Sequence, residues 1–139
     1  MKVPYTATVV STGPNYLHRI RVGRFEMMVD EPPSRGGQGN APEPYDYYLA
    51  SLAACTAITL RMYAERKGWN LGEFQAELTF TRDEEGRVHI HRVLRSDQPL
   101  DAAQWQRLLE IADKTPVTKT MRDGAVITNS VGAGDAVAT

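Results

Sequence analysis

A long run of residues without glycine or proline, positions 45–67, constrains the fold more than any other feature of the sequence. Pro44 suits the first turn of a helix and Gly68 suits the position just after its end. Between positions 47 and 60 the only polar residues are small ones, Ser51, Thr56 and Thr59. A helix with apolar side chains around most of its circumference must be buried on most sides. The sequence therefore predicts a long, buried central helix.

The remaining segments show β-strand and turn patterns with one further helix. Alternating apolar residues predict three strands at 5–10, 17–22 and 25–29, a hairpin from 74–80 and 88–94, and a last strand at 125–131. Asp101 and Gln104 resemble a capping box that opens a second helix, which should end near Pro116. This order predicts an α+β domain with antiparallel sheets and no parallel βαβ units.

The chain length of 139 residues fits a single domain, 1–139. Residues 31–44 are rich in proline, glycine, serine and asparagine, and a loop of this length in a compact domain is often functional. We therefore expect 31–44 to be an active-site loop, with Arg35 as its only basic residue. Residues 132–139 are expected to form a flexible tail.

Charge and hydropathy exclude several kinds of partner. Sixteen basic and seventeen acidic residues give a net charge of -1, which offers no electrostatic basis for binding a nucleic acid backbone. The first residues lack the apolar run of a signal peptide, and the 47–60 stretch is too short to span a bilayer. We expect a cytoplasmic protein that binds neither nucleic acid nor a membrane.

A second copy of the chain is the natural cover for the central helix. One small sheet cannot bury a helix that is apolar on nearly all sides, so part of that surface should pack against another molecule. The sequence predicts an isologous, intertwined homodimer.

The single cysteine, Cys55, lies in the middle of the central helix among small residues. One cysteine excludes an intrachain disulfide, and without a Cys/His cluster the common zinc sites are excluded as well. His89 and His91 could share a metal on one strand face but lack a third ligand, so we interpret them as surface or interface residues. No metal or cofactor is predicted. From these residues alone, Cys55 is either an inert buried side chain or a reactive thiol.

Residues 40–60 resemble the start of the central helix in OsmC-like proteins, where a Pro-Tyr-Glu-Leu-Leu stretch leads to Ala-Cys-Thr. Pro44-Tyr45 and Ala54-Cys55-Thr56 carry this resemblance, which continues through 62–69, and the order of elements agrees from end to end. The resemblance implies the OsmC-like fold and a relation to thiol-dependent hydroperoxide reductases.

The resemblance also implies roles for individual residues. In peroxidatic relatives the helix cysteine attacks the hydroperoxide, an arginine from the preceding loop stabilises its thiolate, and a glutamate holds that arginine. A second cysteine in a Cys-Pro-Val segment then forms a disulfide with the first. Cys55 takes the attacking role. Arg35 is the candidate cation, because it precedes Tyr45 by the spacing that some relatives show between the arginine and the glutamate. The alternative is a solvated loop arginine, since loop lengths vary in this family.

Two positions depart from the family pattern. The glutamate position, ten residues before Cys55, is Tyr45, and the nearby Asp46 is rotated by about 100° around the helix. Asp46 can replace the glutamate only if its surroundings shift, and it is otherwise an acid well placed at a helix N-terminus. Thr115 occupies the second cysteine position in residues 114–121. Turnover would therefore require an external thiol reductant or a disulfide to another chain.

Two functions remain open at this point. The first is a single-cysteine peroxidase that reduces a small organic hydroperoxide with Cys55, Arg35 and Asp46 as catalytic residues. The second is a homodimer that has lost turnover and binds an apolar ligand. The departures at Tyr45 and Thr115 favour the second function, whereas Cys55 and Arg35 favour the first.

Overall fold

A computed structural model describes residues 4–132 of the chain. Apart from Gly132, the predicted flexible tail lies outside the described residues. The elements, in chain order, are β1 Thr8–Ser11, β2 His18–Val22, β3 Phe25–Val29, a 3-10 helix Pro33–Arg35, α1 Pro44–Lys67, β4 Phe74–Arg82, β5 Val88–Ser96, α2 Ala102–Ala112 and α3 Pro116–Asp123. This arrangement confirms the predicted α+β fold class.

The central helix α1 has the predicted extent but is less buried than predicted. It ends at Gly68, whose φ of 71° is readily adopted only by glycine. Its buried residues follow a spacing of four and form one stripe, namely Leu52, Thr56, Leu60 and Ala64. Ile58 and Met62 project from the opposite side and are 55% and 52% exposed. The prediction of burial on most sides is wrong for the single chain, because its own sheets and helices cover only one side of α1.

Two separate antiparallel sheets accompany the helix. β1, β2 and β3 form a meander, and β4 pairs with β5 in a hairpin that runs from Phe74 opposite Ser96 to Arg82 opposite Val88. The hairpin packs along α1, whereas Tyr47 joins the meander to α1 by a hydrogen bond from its hydroxyl to the Met28 carbonyl. Both sheets thus reach α1, from different parts of the chain.

The main core lies at the C-terminal half of α1, between this helix, the hairpin and α2. Its fully buried members are Leu60, Ala64, Leu71, Leu108 and Ala112. The predicted capping box is present at the start of α2, where Asp101 accepts from the Gln104 backbone amide at 2.7 Å and Gln104 accepts from the Asp101 amide at 2.9 Å. These paired bonds set the start of α2 and so direct Leu108 into the core.

The end of the described chain differs from the sequence prediction in two ways. Residues 125–131 form no strand, and Val126 and Ile127 are 96% and 83% exposed. No strand of the described chain pairs with this segment, and an extended segment without a partner gains no ladder hydrogen bonds. Helix α3 was not predicted, although Thr115 followed by Pro116 is a recognisable helix start.

Two adjacent leucines of α2 provide a test of the core assignment. Leu108 is fully buried and Leu109 is 49% exposed. We expect Leu108→Ala to lower the free energy of unfolding by about 2–5 kcal/mol, because it leaves a cavity, and Leu109→Ala to lower it by less than about 1 kcal/mol. Urea denaturation followed by circular dichroism measures both values. Equal losses would contradict the assignment.

Candidate active site

Cys55 lies in the middle of α1 and is partly exposed. Its sulfur is 3.9 Å from the Thr59 hydroxyl oxygen, one turn further along the helix. At 100° per residue, Cys55 projects about 20° from the exposed Met62 and about 60° from both the exposed Ile58 and the buried Leu52. The thiol therefore lies at the boundary between the buried stripe of α1 and the side that the described chain leaves uncovered, in agreement with its partial exposure.

Arg92 brings a positive charge to the residue next to Cys55. It occupies an inward-facing position of β5 between Ile90 and Leu94, and its side chain is only 14% exposed. One guanidinium nitrogen, Nη1, donates to the Thr56 hydroxyl at 3.0 Å and to the Thr118 hydroxyl at 2.9 Å. Arg92 thus joins α1, β5 and α3 by hydrogen bonds.

The charge of Arg92 is only partly balanced. Burial lowers the pKa of its guanidinium, Asp113 and Cys55 raise this pKa, and the neighbouring charge of Arg122 lowers it further. An arginine nevertheless stays charged in proteins. Asp113 is 68% exposed, and its Oδ1 lies 3.6 Å from Nη2 of Arg92, too far for a hydrogen bond. Among residues 4–132, no carboxylate is hydrogen-bonded to this partly buried cation.

Thr115, at the position of the family's second cysteine, is connected to this cation. It is fully buried at the start of α3, and its hydroxyl lies 2.6 Å from the Thr118 hydroxyl, which in turn accepts from Arg92. Hydrogen bonds thus run from Thr115 through Thr118 and Arg92 to Thr56 on α1. This network relates the second cysteine position to the helix that carries Cys55.

Arg35 lies in the ordered loop between β3 and α1. The loop is held by the buried Asp30, whose carboxylate accepts from the backbone amides of Glu31 at 2.8 Å and Asn40 at 3.1 Å. Arg35 itself is 62% exposed and lies 3.7 Å from the Glu31 carboxylate, a weak contact that leaves its side chain free to move. Its approach to Cys55 stays a prediction.

Tyr45 and Asp46 lie in the first turn of α1, away from the thiol. Ten helical residues separate Tyr45 from Cys55, which corresponds to about 15 Å along the axis. Asp46 accepts from the Glu43 amide at 2.9 Å and so caps the helix. Tyr45 packs against Phe80 at 5.0 Å and accepts a hydrogen bond from Arg82 at 3.3 Å. The catalytic role of Asp46 stays a prediction, with no contact to Cys55 in its support.

The two strand histidines lie outside this site. Nε2 of His89 is 2.8 Å from the Asp83 carboxylate, and this hydrogen bond lowers the pKa of Asp83. Among residues 4–132 no group of three or more potential ligands could hold a metal ion. His89 is 57% exposed, which agrees with its interpretation as a surface residue.

A family model described as OsmC-like protein matches residues 37–130, which include α1 with Cys55 and α3 with Thr115. The chain belongs to the OsmC-like family. This confirms the family that the sequence resembles. No protein from the curated collection matches the chain significantly.

Solved structures of OsmC-like proteins share the fold. A Psychrobacter arcticus protein named for osmotic stress induction and a detoxification response has a TM-score of 0.74 at 23% identity over 86% of this chain and 90% of its own. An OsmC-like protein from Mycoplasma pneumoniae has a TM-score of 0.70 at 19% identity over 88% and 89%. An organic hydroperoxide resistance protein from Legionella pneumophila has a TM-score of 0.62 at 19% identity over 86% and 90%. At these identities the likeness concerns the fold.

Sequence reasoning about this OsmC-like chain missed Arg92 and Asp30. The sequence did contain a signal that could have identified Arg92. Arg92 is a charged residue at an inward position of an alternating strand, between two apolar residues that face the core. The signal for Asp30 was weaker, since its buried carboxylate is satisfied by loop amides that only the folded backbone brings together.

Within the described residues, no helix is long and apolar enough to cross a bilayer.

The hydrogen bonds of Arg92 generate a stability prediction. Thr118→Val keeps the shape of the side chain but removes an acceptor from a partly buried guanidinium. We expect it to lower the free energy of unfolding by about 1–3 kcal/mol in urea denaturation. Thr120→Val, at an exposed position of the same helix, is the control and should change it by less than about 0.5 kcal/mol. Similar values for the two variants would contradict the importance of the Arg92 network.

Proposed function

We propose that this OsmC-like protein reduces small organic hydroperoxides at Cys55, with an external thiol as the reductant. The observation that carries the proposal is the placement of the only cysteine of the chain, partly exposed on α1, next to the residue that binds the partly buried guanidinium of Arg92. A nearby cation favours the thiolate, which is the reactive form of cysteine. The names of structural neighbours such as the Legionella protein agree with this chemistry.

The proposed reaction has two stages. The Cys55 thiolate attacks the outer oxygen of the hydroperoxide, the O–O bond breaks, and the departing alkoxide takes a proton and leaves as an alcohol. Cys55 is oxidised to a sulfenic acid. A first external thiol converts it to a mixed disulfide with release of water, and a second thiol restores Cys55 and leaves as the oxidised reductant.

The external reductant follows from the residues at the second cysteine position. Thr115 has a hydroxyl that is engaged with Thr118, and a hydroxyl cannot form a disulfide. The oxidised Cys55 therefore has no partner within its own chain. A supply of reduced thiols is typical of the cytoplasm, which is the location that we propose.

Two arginines are candidates for stabilising the thiolate and the departing alkoxide. Arg92 is anchored within the same chain by Thr56 and Thr118. Arg35 lies on an ordered loop, but only its weak contact with Glu31 restrains it. We propose that Arg92 supports the thiolate from the core side of α1, and that Arg35 approaches from the uncovered side when the site is assembled.

We propose that a second copy of the chain covers that side and forms an isologous homodimer. The chain exposes 10621 Å², whereas a folded monomer of its mass exposes about 7200 Å². Allowing about 160 Å² for each residue outside 4–132 leaves a surplus of more than about 1500 Å². The exposed apolar side chains of Ile58, Met62, Val126 and Ile127 belong to this surplus. Burying them would also enclose Cys55.

A second candidate function is the binding of an apolar ligand without turnover. Its supporting observation is an apolar cleft of about 680 Å³ between the N-terminal sheet and the first half of α1, lined by residues such as Ile20, Met27, Val29 and Tyr47. The volume lies within the range of small-molecule sites. Two departures from the family pattern fit this function as well: Tyr45 stands in place of the glutamate, and Thr115 stands in place of the second cysteine.

Turnover with a model substrate tests the first proposal. We expect cumene hydroperoxide to be consumed in many equivalents when dithiothreitol is present, and Cys55 to be oxidised to a sulfinic acid by excess peroxide when it is absent, since no disulfide protects it. Peroxide assay and mass spectrometry measure the two outcomes. Cys55→Ser is the control, and equal consumption by wild type and Cys55→Ser would reject the enzyme in favour of the ligand-binding function.

The same assay separates the two arginines. Arg92→Lys and Arg35→Ala should each lower kcat/KM by about tenfold or more if both stabilise developing negative charge. Arg95→Gln is a matched control, because Arg95 points outward from the same strand and pairs with Glu77 at 3.0 Å. An unchanged kcat/KM in Arg35→Ala would leave Arg92 as the cation of the site.

The dimer proposal predicts the mass of the protein in solution. Sedimentation velocity at micromolar concentration should give twice the mass of the 139-residue chain. Met62→Glu places a charge on the side of α1 that the described chain leaves uncovered, and it should shift the protein toward monomer. Gln75→Glu, on the exposed face of β4, should not. A stable monomer with unfolding independent of protein concentration would overturn the proposal.

A further inference from the structure

A second, partly polar cleft lies where α1, β5 and α3 meet. It has a volume of about 340 Å³ and is lined by Tyr48, Leu52, Val88, Ile90, Met121, Thr118, Arg92 and Arg122. Five of these side chains form an apolar wall, and the two arginines supply positive charge at one side. The cleft therefore combines apolar surface with two guanidinium groups.

The arginines converge on one carboxylate oxygen. Oδ1 of Asp113 lies 3.6 Å from Arg92 and 3.8 Å from Arg122, so it is beyond hydrogen-bond distance from both. Arg122 is also anchored by a bond from Nη1 to the Asp113 backbone oxygen at 3.2 Å, which holds its guanidinium near Arg92. Two positive charges thus share one exposed acid.

We propose that this cleft binds a small organic acid with an apolar tail, whose carboxylate is held between Arg92 and Arg122. Asp113 lines a neighbouring cleft that the two arginines also border, and it approaches their guanidiniums from there without a hydrogen bond to either of them through its carboxylate. Because its side chain is 68% exposed, it can turn into solvent when a ligand carboxylate forms the closer, charge-assisted bonds. The apolar tail of the ligand would lie against Leu52 and Ile90.

The proposal concerns an organic acid because the cleft presents two different surfaces. A free inorganic anion would use the arginines but leave the apolar wall in contact with water, whereas a neutral alcohol would use the wall but bring no anion to the two guanidiniums. Only a molecule with both parts uses the whole cleft. The cleft shares Arg92 with the site proposed around Cys55, so binding of the acid is measured without the thiol as well as with it.

Calorimetric titration of the full chain with octanoate tests the proposal. We expect octanoate to bind at least about tenfold more tightly than octanol or inorganic phosphate, because a charge-assisted hydrogen bond adds at least this factor to the apolar contacts. Cys55→Ser should bind octanoate as wild type does, so that the result is separate from the outcome of the peroxidase assay.

Three variants identify the residues that bind the acid. Arg122→Gln should weaken octanoate binding by about tenfold or more, and Asp113→Asn should strengthen it, because it removes the competing carboxylate. Arg95→Gln, on the outer face of β5, should leave binding unchanged. Circular dichroism checks that each variant is folded. Equal binding of octanoate and octanol, or equal effects of the Arg122 and Arg95 variants, would overturn the proposal.

Discussion

The partly buried guanidinium of Arg92 connects the parts of this OsmC-like chain that surround the candidate site. It reaches from β5 to Thr56 on α1 and to Thr118 on α3, and through Thr118 it is linked to Thr115. Partial burial of a cation is costly unless its donors are used, so these contacts hold three elements in one arrangement. The arrangement of the site therefore depends on Arg92 as much as on the position of Cys55.

The two sides of α1 have different roles. One side packs into the core through Leu60 and its neighbours, whereas the other exposes apolar residues such as Ile58 and Met62, and Cys55 lies at the boundary between the two. A partly exposed thiol beside an uncovered apolar face is accessible to a substrate and also lies close to where a second copy of the chain would pack. Substrate access and self-association are thus connected by the geometry of one helix.

Much of the fold could be predicted because its signals are local. The extent of α1 follows from Pro44 and Gly68, the hairpin follows from alternating residues, and the start of α2 follows from Asp101 and Gln104. The segment 125–131 was wrongly predicted as a strand, because strand formation requires a pairing partner that its own residues cannot indicate. The candidate cysteine was recognisable from the Ala-Cys-Thr motif, whereas the surroundings of Cys55 were not.

The sequence by itself determined the fold class, the family, the single cysteine and the absence of a second cysteine at Thr115, because these depend on periodicity, helix ends and residue identity. Only the tertiary structure decided which groups surround the site. Arg92 and Arg122 are thirty positions apart in the chain, and Asp113 directly follows a third element, α2, yet the fold brings their charges together. Contacts between distant segments depend on how helices and strands pack, and no local pattern of residues encodes that packing.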